Sequence, residues 1–258
     1  MNPMENKLNG FRPTTLEALN GLKLMSRYDT KFTFHKSKLK NLLDYLSRDY
    51  QILEIGGRRL FSYETLYYDT DNFLFYHQHH NRKLGRYKVR CRRYVESGQC
   101  FFEVKYKNNK SKTTKNRILL KGNTISRDIS ESSKKFARSY IQMDDTDIIE
   151  KMRPKLEVNY HRMTFANMTS EERFTVDTSL TYFDGAPQRR RLDSLVIAEH
   201  KSERFSPHAP LFQYLKGLDI HPVSFSKYCM GVALTEENIK YNRFKKKILA
   251  LRKMNEEI

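Results

Sequence analysis

The amino-acid sequence predicts an α+β protein built on about eight antiparallel β-strands, with helices packed around the outside and a basic C-terminal helix. Three observations carry this expectation. Segments with period-2 alternation, rich in Tyr, Phe, Val and Thr, recur along the chain and are separated by turn residues. The 258 residues include 16 Tyr and 16 Phe, too many for a disordered chain, although only 38% are hydrophobic. No internal repeat, low-complexity tract or Pro/Gly-rich linker divides the sequence. A single domain over 1–258 is therefore expected, with its core from about 22 to 235 and a basic helix over 236–258.

The elements follow in chain order. Thr14–Leu24 reads as a short helix, with Thr14 as cap and Glu17 three residues later. Strands are expected at Ser26–His35, Phe61–Asp69, Gly85–Val95, Gln99–Lys107, Thr113–Leu119, Lys155–Phe165, Arg173–Leu180 and Leu192–Lys201. Glu96-Ser97-Gly98 marks a tight hairpin, and Asn108-Asn109-Lys110-Ser111 a second turn. Helices are expected at Ser37–Leu46, Asp71–His79, Ser130–Tyr140, Pro207–Lys216 and over one long stretch from Ser226 to Lys253.

The informative feature is the parity of charge. In GRYKVRCRRY, Arg86, Lys88, Arg90 and Arg92 fall on alternate positions, so in a strand they share one face, about 6.5–7 Å apart. Tyr87, Val89 and Cys91 point the other way. Other strands repeat the arrangement through Arg27, Asp29 and Lys31; Glu103, Lys105 and Lys107; Lys115 and Arg117; Tyr160 and Arg162; Arg173, Thr175 and Asp177; and Glu199 and Lys201. One reading is a sheet with a solvated, charged face. The other is a sheet closed with its charged faces inward and its apolar faces against helices. The second is stable only if a ligand or water satisfies the charges, because unpaired buried charge costs several kcal/mol per ion.

A net charge of +18, from 48 Lys and Arg against 30 Asp and Glu, favours a polyanionic partner: nucleic acid, anionic lipid or polyphosphate. No recognisable nucleic-acid motif is present, so no nucleic-acid partner is expected. A linear phosphate chain matches a row of cations, with Arg forks gripping oxygens and Lys adding point charge. The interspersed acids Asp29, Glu103, Asp177 and Glu199 either pair with neighbouring cations or hold Mg²⁺ or Mn²⁺ on the phosphates; Glu199 is the preferred ligand and Glu103 the second. Three cysteines, Cys91, Cys100 and Cys229, without CxxC spacing, argue against a disulfide framework or zinc site and point to a reducing, cytoplasmic setting. The N-terminal MNPMENKLNG lacks an apolar run, so no secretory signal is expected. No segment approaches the roughly 20 apolar residues that span a bilayer. His77, His79 and His80 are read as surface residues at a helix end, and Asp144, Asp145 and Asp147 as a solvated turn.

The ordered segments RYDTKF, ETLYYDTDN, GRYKVRCRRY, FFEVKYK, TTKNRI, RPKLEVNYHRMTF, RFTVDTSL, AEHKSE and SFSKYCMG resemble the VTC domain, the catalytic domain of the vacuolar transporter chaperone polyphosphate polymerase and its bacterial relatives, among the triphosphate tunnel metalloenzymes. The resemblance runs from about Arg27 to Leu234. It implies an eight-stranded antiparallel β-barrel, a triphosphate tunnel, with helices outside. It also implies transfer of the γ-phosphate of ATP onto inorganic polyphosphate. Arg90, Arg92, Arg162, Arg173 and Lys105 would act on the reacting phosphates. Lys31, Arg86, Lys88, Lys115, Arg117, Lys201 and Lys227 would line the phosphate path, and Glu199 would ligate the metal. The sequence departs from the tunnel enzymes' acidic ExExK motif, since Arg27 stands at the first acidic position of Arg27-Tyr28-Asp29-Thr30-Lys31. This weakens a pure triphosphatase or adenylate-cyclase reading. Ser224 stands where the eukaryotic polymerase has a lysine. The SPX domain and the membrane-spanning segment of the eukaryotic subunits have no counterpart in this sequence, so regulation and transport coupling are not carried over, and a membrane-protein partner is a further expectation. A tripolyphosphatase or nucleoside triphosphatase, and a non-catalytic polyphosphate or inositol-phosphate binder, remain the alternatives on the same scaffold.

Overall fold

The computed structural model describes residues 3–22, 28–110, 112–145, 147–185, 189–204 and 206–256. Arg27, the expected start of its strand at Ser26 and the expected helix end at Leu24 lie outside them. The order is α1 (Pro3–Asn9), β1 (Pro13–Thr14), α2 (Leu16–Gly21), β2 (Tyr28–His35), α3 (Leu39–Asp49), β3 (Gln51–Leu53), β4 (Phe61–Thr70), α4 (Leu74–His80), β5 (Arg86–Tyr94), β6 (Gln99–Lys107), β7 (Thr113–Leu119), α5 (Glu131–Tyr140), β8 (Met152–Asn167), β9 (Glu172–Phe183), β10 (Arg190–Leu192), β11 (Leu195–Ser202), α6 (Pro210–Gly217), α7 (Lys227–Thr235) and α8 (Lys245–Glu256). No helix among the described residues is long and apolar enough to cross a membrane.

The principal strands form one antiparallel sheet in the order β2-β11-β9-β8-β4-β5-β6-β7. Closure into a barrel would require β2 to pair with β7, and no such ladder forms among the described residues. One reason is that the outer edge of β2 is already occupied. Pro222 bridges Phe32, and Val223 N–H donates to the Lys31 carbonyl at 2.7 Å. The sheet is instead a deeply curled trough. Lys105 on β6 feels the Glu199 carboxylate on β11, and Lys88 on β5 feels Lys31 on β2, so its two ends face one another.

The convex face carries most of the apolar packing, as the parity of the strands predicts. Phe32, Phe34, Met163, Phe165, Phe174, Val176, Val196 and Ala198 pack against Leu39, Leu42, Leu43 and Leu46 of α3 and Leu211, Phe212 and Leu215 of α6. Tyr87, Val89, Cys91, Phe102 and Val104 pack against Phe75 of α4 and Ala137 of α5. Burial of this kind contributes roughly 25 cal/mol per Å² of apolar surface. Helix starts follow their caps. Ser130 accepts from Ser133 N–H at 3.3 Å, and the α2 cap is Thr15 rather than the expected Thr14, accepting from Ala18 N–H at 3.2 Å.

Two expectations are corrected here. The long C-terminal helix is two helices, α7 and α8, separated by residues 236–244. Helix α7 is apolar and buried nearly all round because it lies inside the trough, with Tyr228, Met230 and Val232 against Leu156, Val158, Leu180, Tyr182 and Ile197. The concave face is therefore cationic only over part of its length. In α8, Ile248 and Leu251 are buried in the same cluster, Lys247 donates to Ser224, and Lys245, Lys246, Arg252 and Lys253 face outward. The second correction concerns His77, His79 and His80. His80 is 1% exposed, stacked on Tyr76 and edge-on to Phe244, and His79 binds within the fold, so only His77 resembles a surface residue.

Gly231 fixes how deeply α7 seats. A Cβ there would stand 2.4 Å from Leu156 Cδ2 and 2.6 Å from Tyr182 Cδ1. Gly231→Ala should destabilise the protein by about 1–3 kcal/mol in urea unfolding despite the better helix propensity of Ala. Gly217→Ala, with nothing within 4 Å of the added methyl, should not.

Candidate active site

The open part of the concave face takes its side chains from strand register. Lys88 faces Lys105 on β6, which faces Lys115 on β7; Arg90 faces Glu103, and Arg92 faces Phe101. On β4, Tyr67 faces Arg90 and Thr65 faces Arg92. Farther round, Arg162 faces Asp177, Glu199 lies between Thr175 and Lys31, and Lys201 lies between Arg173 and Asp29. A register shift between Asn159 and His161 separates the charged stretch of β8 from the apolar stretch beneath α7.

Three carboxylates gather cations. Glu103 is fully buried, 2.6 Å from Arg90 Nε and 2.5 Å from its Nη2, and it also pairs with Lys115. Burial pushes this carboxyl up, but Arg90, Arg92 and Lys115 outweigh burial and hold it well below the usual carboxylate range. Asp177 accepts a fork from Arg162, at 2.6 Å from Nε and 2.8 Å from Nη2, and pairs with Lys227 in the first turn of α7. Burial raises Asp177, yet Arg162 and Lys227 bring it down to about 2. Glu199 pairs with Lys201 and lies 3.6 Å from Lys31. Here too burial is outweighed, by Lys201 and then Lys31, and Glu199 stays ionised far below its ordinary value.

The remaining cations are not neutralised in this way. Among the described residues, Lys88, Arg92 and Lys105 have no carboxylate within ion-pair distance. Burial, reinforced by Arg90 and Arg92, pulls Lys105 well below the ammonium range, and burial likewise lowers Lys88. Lys115, although paired with Glu103, also falls, to about 8, because burial outweighs the pull of that carboxylate. Aromatic rings position several cations without cancelling their charge. Arg92 sits over Tyr63 at 5.5 Å, Arg162 over Tyr63 at 5.1 Å and Tyr160 at 5.3 Å, and Lys227 over Tyr160 at 4.5 Å.

The structure thus brings Lys31, Lys88, Arg90, Arg92, Glu103, Lys105, Lys115, Arg162, Glu199, Lys201 and Lys227 together. Three other predicted residues lie toward the ends. Arg86 donates from Nε to His79 Nδ1 at 3.1 Å and from Nη1 to the Lys83 carbonyl at 2.7 Å. Arg117 lies 4.4 Å over the Phe101 ring. Arg173 donates to the Leu19 carbonyl of α2. Sequence reasoning left Tyr63, Thr65, Tyr67 and Tyr160 without roles and treated Asp177 as charge relief. Parity was the available signal for the first three, which alternate in FSYETLY on the same face as the arginines.

Among the described residues, no three His, Cys, Asp or Glu side chains converge to cage a metal ion by themselves. The donor chemistry at Glu199 nevertheless fits a hard cation. It is an ionised carboxylate, 18% exposed, beside Lys201 and Lys31, and a bound anion on those cations would complete the coordination of such an ion. Glu103 is enclosed, with its oxygens engaged by Arg90 and Lys115.

Comparison with solved structures places this architecture beside a Hippeastrum protein described as an adenylyl cyclase candidate with a dominant triphosphatase activity. The two share a TM-score of 0.51 at 13% identity, over 83% of this chain and 98% of that one. A Vibrio parahaemolyticus protein described as an adenylate cyclase candidate aligns over 87% of this chain and 97% of its own, at 14% identity and a TM-score of 0.40. The PH1819 protein of Pyrococcus horikoshii aligns over 81% and 100%, at 12% identity and a TM-score of 0.44. The comparison with curated proteins gave no match. At these identities the Hippeastrum likeness establishes the fold alone. The VTC-domain profile, by contrast, matches residues 26–236, which hold every strand of the charged face and the plugging helix α7, and the chain belongs to the VTC-domain family.

Proposed function

We propose that this chain is a polyphosphate polymerase, moving the γ-phosphoryl of ATP onto the end of an inorganic polyphosphate chain and releasing ADP. The observation that carries the reading is the set of enclosed cations Lys88, Arg92 and Lys105, which have no carboxylate partner among the described residues and stand beside the paired Arg90 and Arg162. Such a surface is costly when empty and relieved by a ligand that brings one negative charge after another.

In the transfer, the bond from the γ-phosphorus to the β–γ bridging oxygen breaks and its electrons leave with ADP. A terminal oxygen of the acceptor chain forms the new bond. The protein supplies positioning and charge neutralisation rather than a covalent partner. Arg90, Arg92, Arg162 and Arg173 clamp phosphates, while Lys31, Lys105, Lys115, Lys201 and Lys227 line the path, with Arg86, Lys88 and Arg117 extending it. Mg²⁺ or Mn²⁺ held by Glu199 would add further neutralisation of the phosphate oxygens. Glu103 and Asp177 fix the forks of Arg90 and Arg162, so these arginines are oriented before substrate arrives. An ATP-using enzyme whose three cysteines are free and buried suits the cytoplasm, with a membrane-protein partner as a recipient of polymer.

A second reading keeps the same residues and makes water the acceptor. The shared fold with a protein described as a triphosphatase supports it. Incubation with ATP and Mn²⁺ should give long polymer on a gel, and release of orthophosphate with no polymer would favour the hydrolase. Arg92→Ala should lower polymer synthesis about 10²–10³-fold, as loss of one preorganised charge contact does elsewhere. Glu199→Ala should abolish turnover with tripolyphosphate binding retained; a wild type that binds but never turns over, with either metal, would mark a binder.

Charge state gives a further prediction. Lys115, drawn down to about 8, loses its proton as pH rises through that value, and a bound polyanion draws the proton back. Affinity for long-chain polyphosphate should therefore fall as pH passes about 8, with proton uptake on binding in calorimetry across buffers. In Lys115→Arg that fall should weaken, because the guanidinium stays charged.

A further inference from the structure

Beyond the phosphate path, the concave face ends in an apolar step that stands outside the core clusters. Phe101 faces Arg92 across β5 and β6, and Leu119 faces Phe101 across β6 and β7, so all three share the concave side. Leu119 is 61% exposed, the Phe101 ring is half-buried, and neither belongs to any apolar cluster of the core. Arg117 lies over the Phe101 ring at 4.4 Å, and Tyr94 meets it edge-on at 5.8 Å. The exposed leucine and the ring thus stand on the inner side of the curled sheet, at the end away from the plugging helix α7 and outside the core clusters.

Among the described residues, Arg92 pairs with no carboxylate and is positioned by Thr65 at 3.4 Å and the Tyr63 ring at 5.5 Å. A phosphate on Arg92 would have the ring of Phe101 directly across the strand pair. Lys88, Arg90 and Lys105 continue the positive charge in the opposite direction, toward α7. A ligand matching this sequence of surfaces is anionic along one stretch and flat and aromatic at its end. That describes a nucleoside triphosphate with its phosphates inward and its base outward. A bare phosphate chain has nothing to set on Phe101.

We propose that Phe101, flanked by Leu119 and Arg117, is the platform on which the nucleobase of the triphosphate substrate stacks, making it a specificity-determining residue. This rests on the reading that the charged face takes the phosphates. Stacking is sequence-tolerant because every base has a π-face, and Arg117 adds a guanidinium plane beside the ring. The platform selects nucleoside triphosphate over phosphate chain, and ADP would leave by the same outer end.

The chain contains no Trp, so Phe101→Trp introduces a single indole reporter into the full-length protein. Titration with ATP should quench its emission saturably. Tripolyphosphate should compete ATP away while causing little quenching of its own. Phe101→Ala should weaken ATP binding on the order of ten-fold, in line with loss of one stacking contact, and leave tripolyphosphate affinity within about two-fold. Leu119→Ala, at an exposed position that cannot unfold the chain, should give a smaller loss in the same direction. Retained tripolyphosphate binding serves as the check on folding. If ATP and tripolyphosphate quench the indole alike, or if Phe101→Ala leaves ATP affinity unchanged, the platform is wrong and the phosphate path stands. If wild-type protein binds neither ligand, the phosphate reading itself fails and the platform falls with it.

Discussion

The constraint on which the structure depends is a surplus of positive charge on one face of a sheet. Asp29, Glu103, Asp177 and Glu199 cannot neutralise all the cations that share the concave side with them. A face of this kind cannot be sealed against helices, because unpaired charge taken from water costs several kcal/mol per ion. Packing is therefore pushed to the convex side, where α3, α4, α5 and α6 cover alternating Phe, Val and Tyr. Three devices make the surplus tolerable. Glu103 and Asp177 each hold an arginine and a lysine. Tyr63 and Tyr160 support guanidinium groups without discharging them. Burial lowers the lysines' proton affinity, so Lys105 and Lys115 hold their protons less firmly than exposed lysines do.

Helix α7 resolves a conflict that the sheet alone would leave. The strands that bear Arg162, Asp177 and Glu199 also bear Leu156, Val158, Tyr182 and Ile197 on the same side. These apolar positions need cover, and α7 supplies it from within. Asp69 anchors the helix. Fully buried, it accepts from the Phe75 and Tyr76 N–H groups of α4 at 2.9 and 2.8 Å and from the Tyr228 hydroxyl of α7. The same insertion delivers Lys227 to Asp177, so a residue needed for cover and a residue needed for charge arrive on one short helix.

Much of this was legible in the sequence, and the limits have physical causes. Alternation placed Arg86, Lys88, Arg90 and Arg92 on one face because the pleat repeats every two residues, and β6 and β7 begin and end where alternation begins and ends. Parity carries no information about curl, nor about the Pro222–Val223 segment that occupies the edge of β2. Periodicity could not separate α7 from α8. A helix buried all round lacks a polar stripe, and no Pro or Gly marks the break over 236–244. In the site, strand parity could not place Lys227, which comes from a helix; only the ordered motifs pointed to it. Tyr63 was passed over, and Tyr160 was placed on the charged face without a role, because an aromatic side chain on a strand reads as core, although here the rings serve as supports for arginine.

The central claim is that a run of phosphates lies along the concave face, against charges that the protein does not itself neutralise. A crystal structure with tripolyphosphate and Mn²⁺ tests it most directly. The account predicts density along the trough against Arg90, Arg92, Lys105 and Arg162, with the metal on Glu199. Tripolyphosphate bound instead on the outer basic face of α8, with the trough filled by water alone, would contradict it.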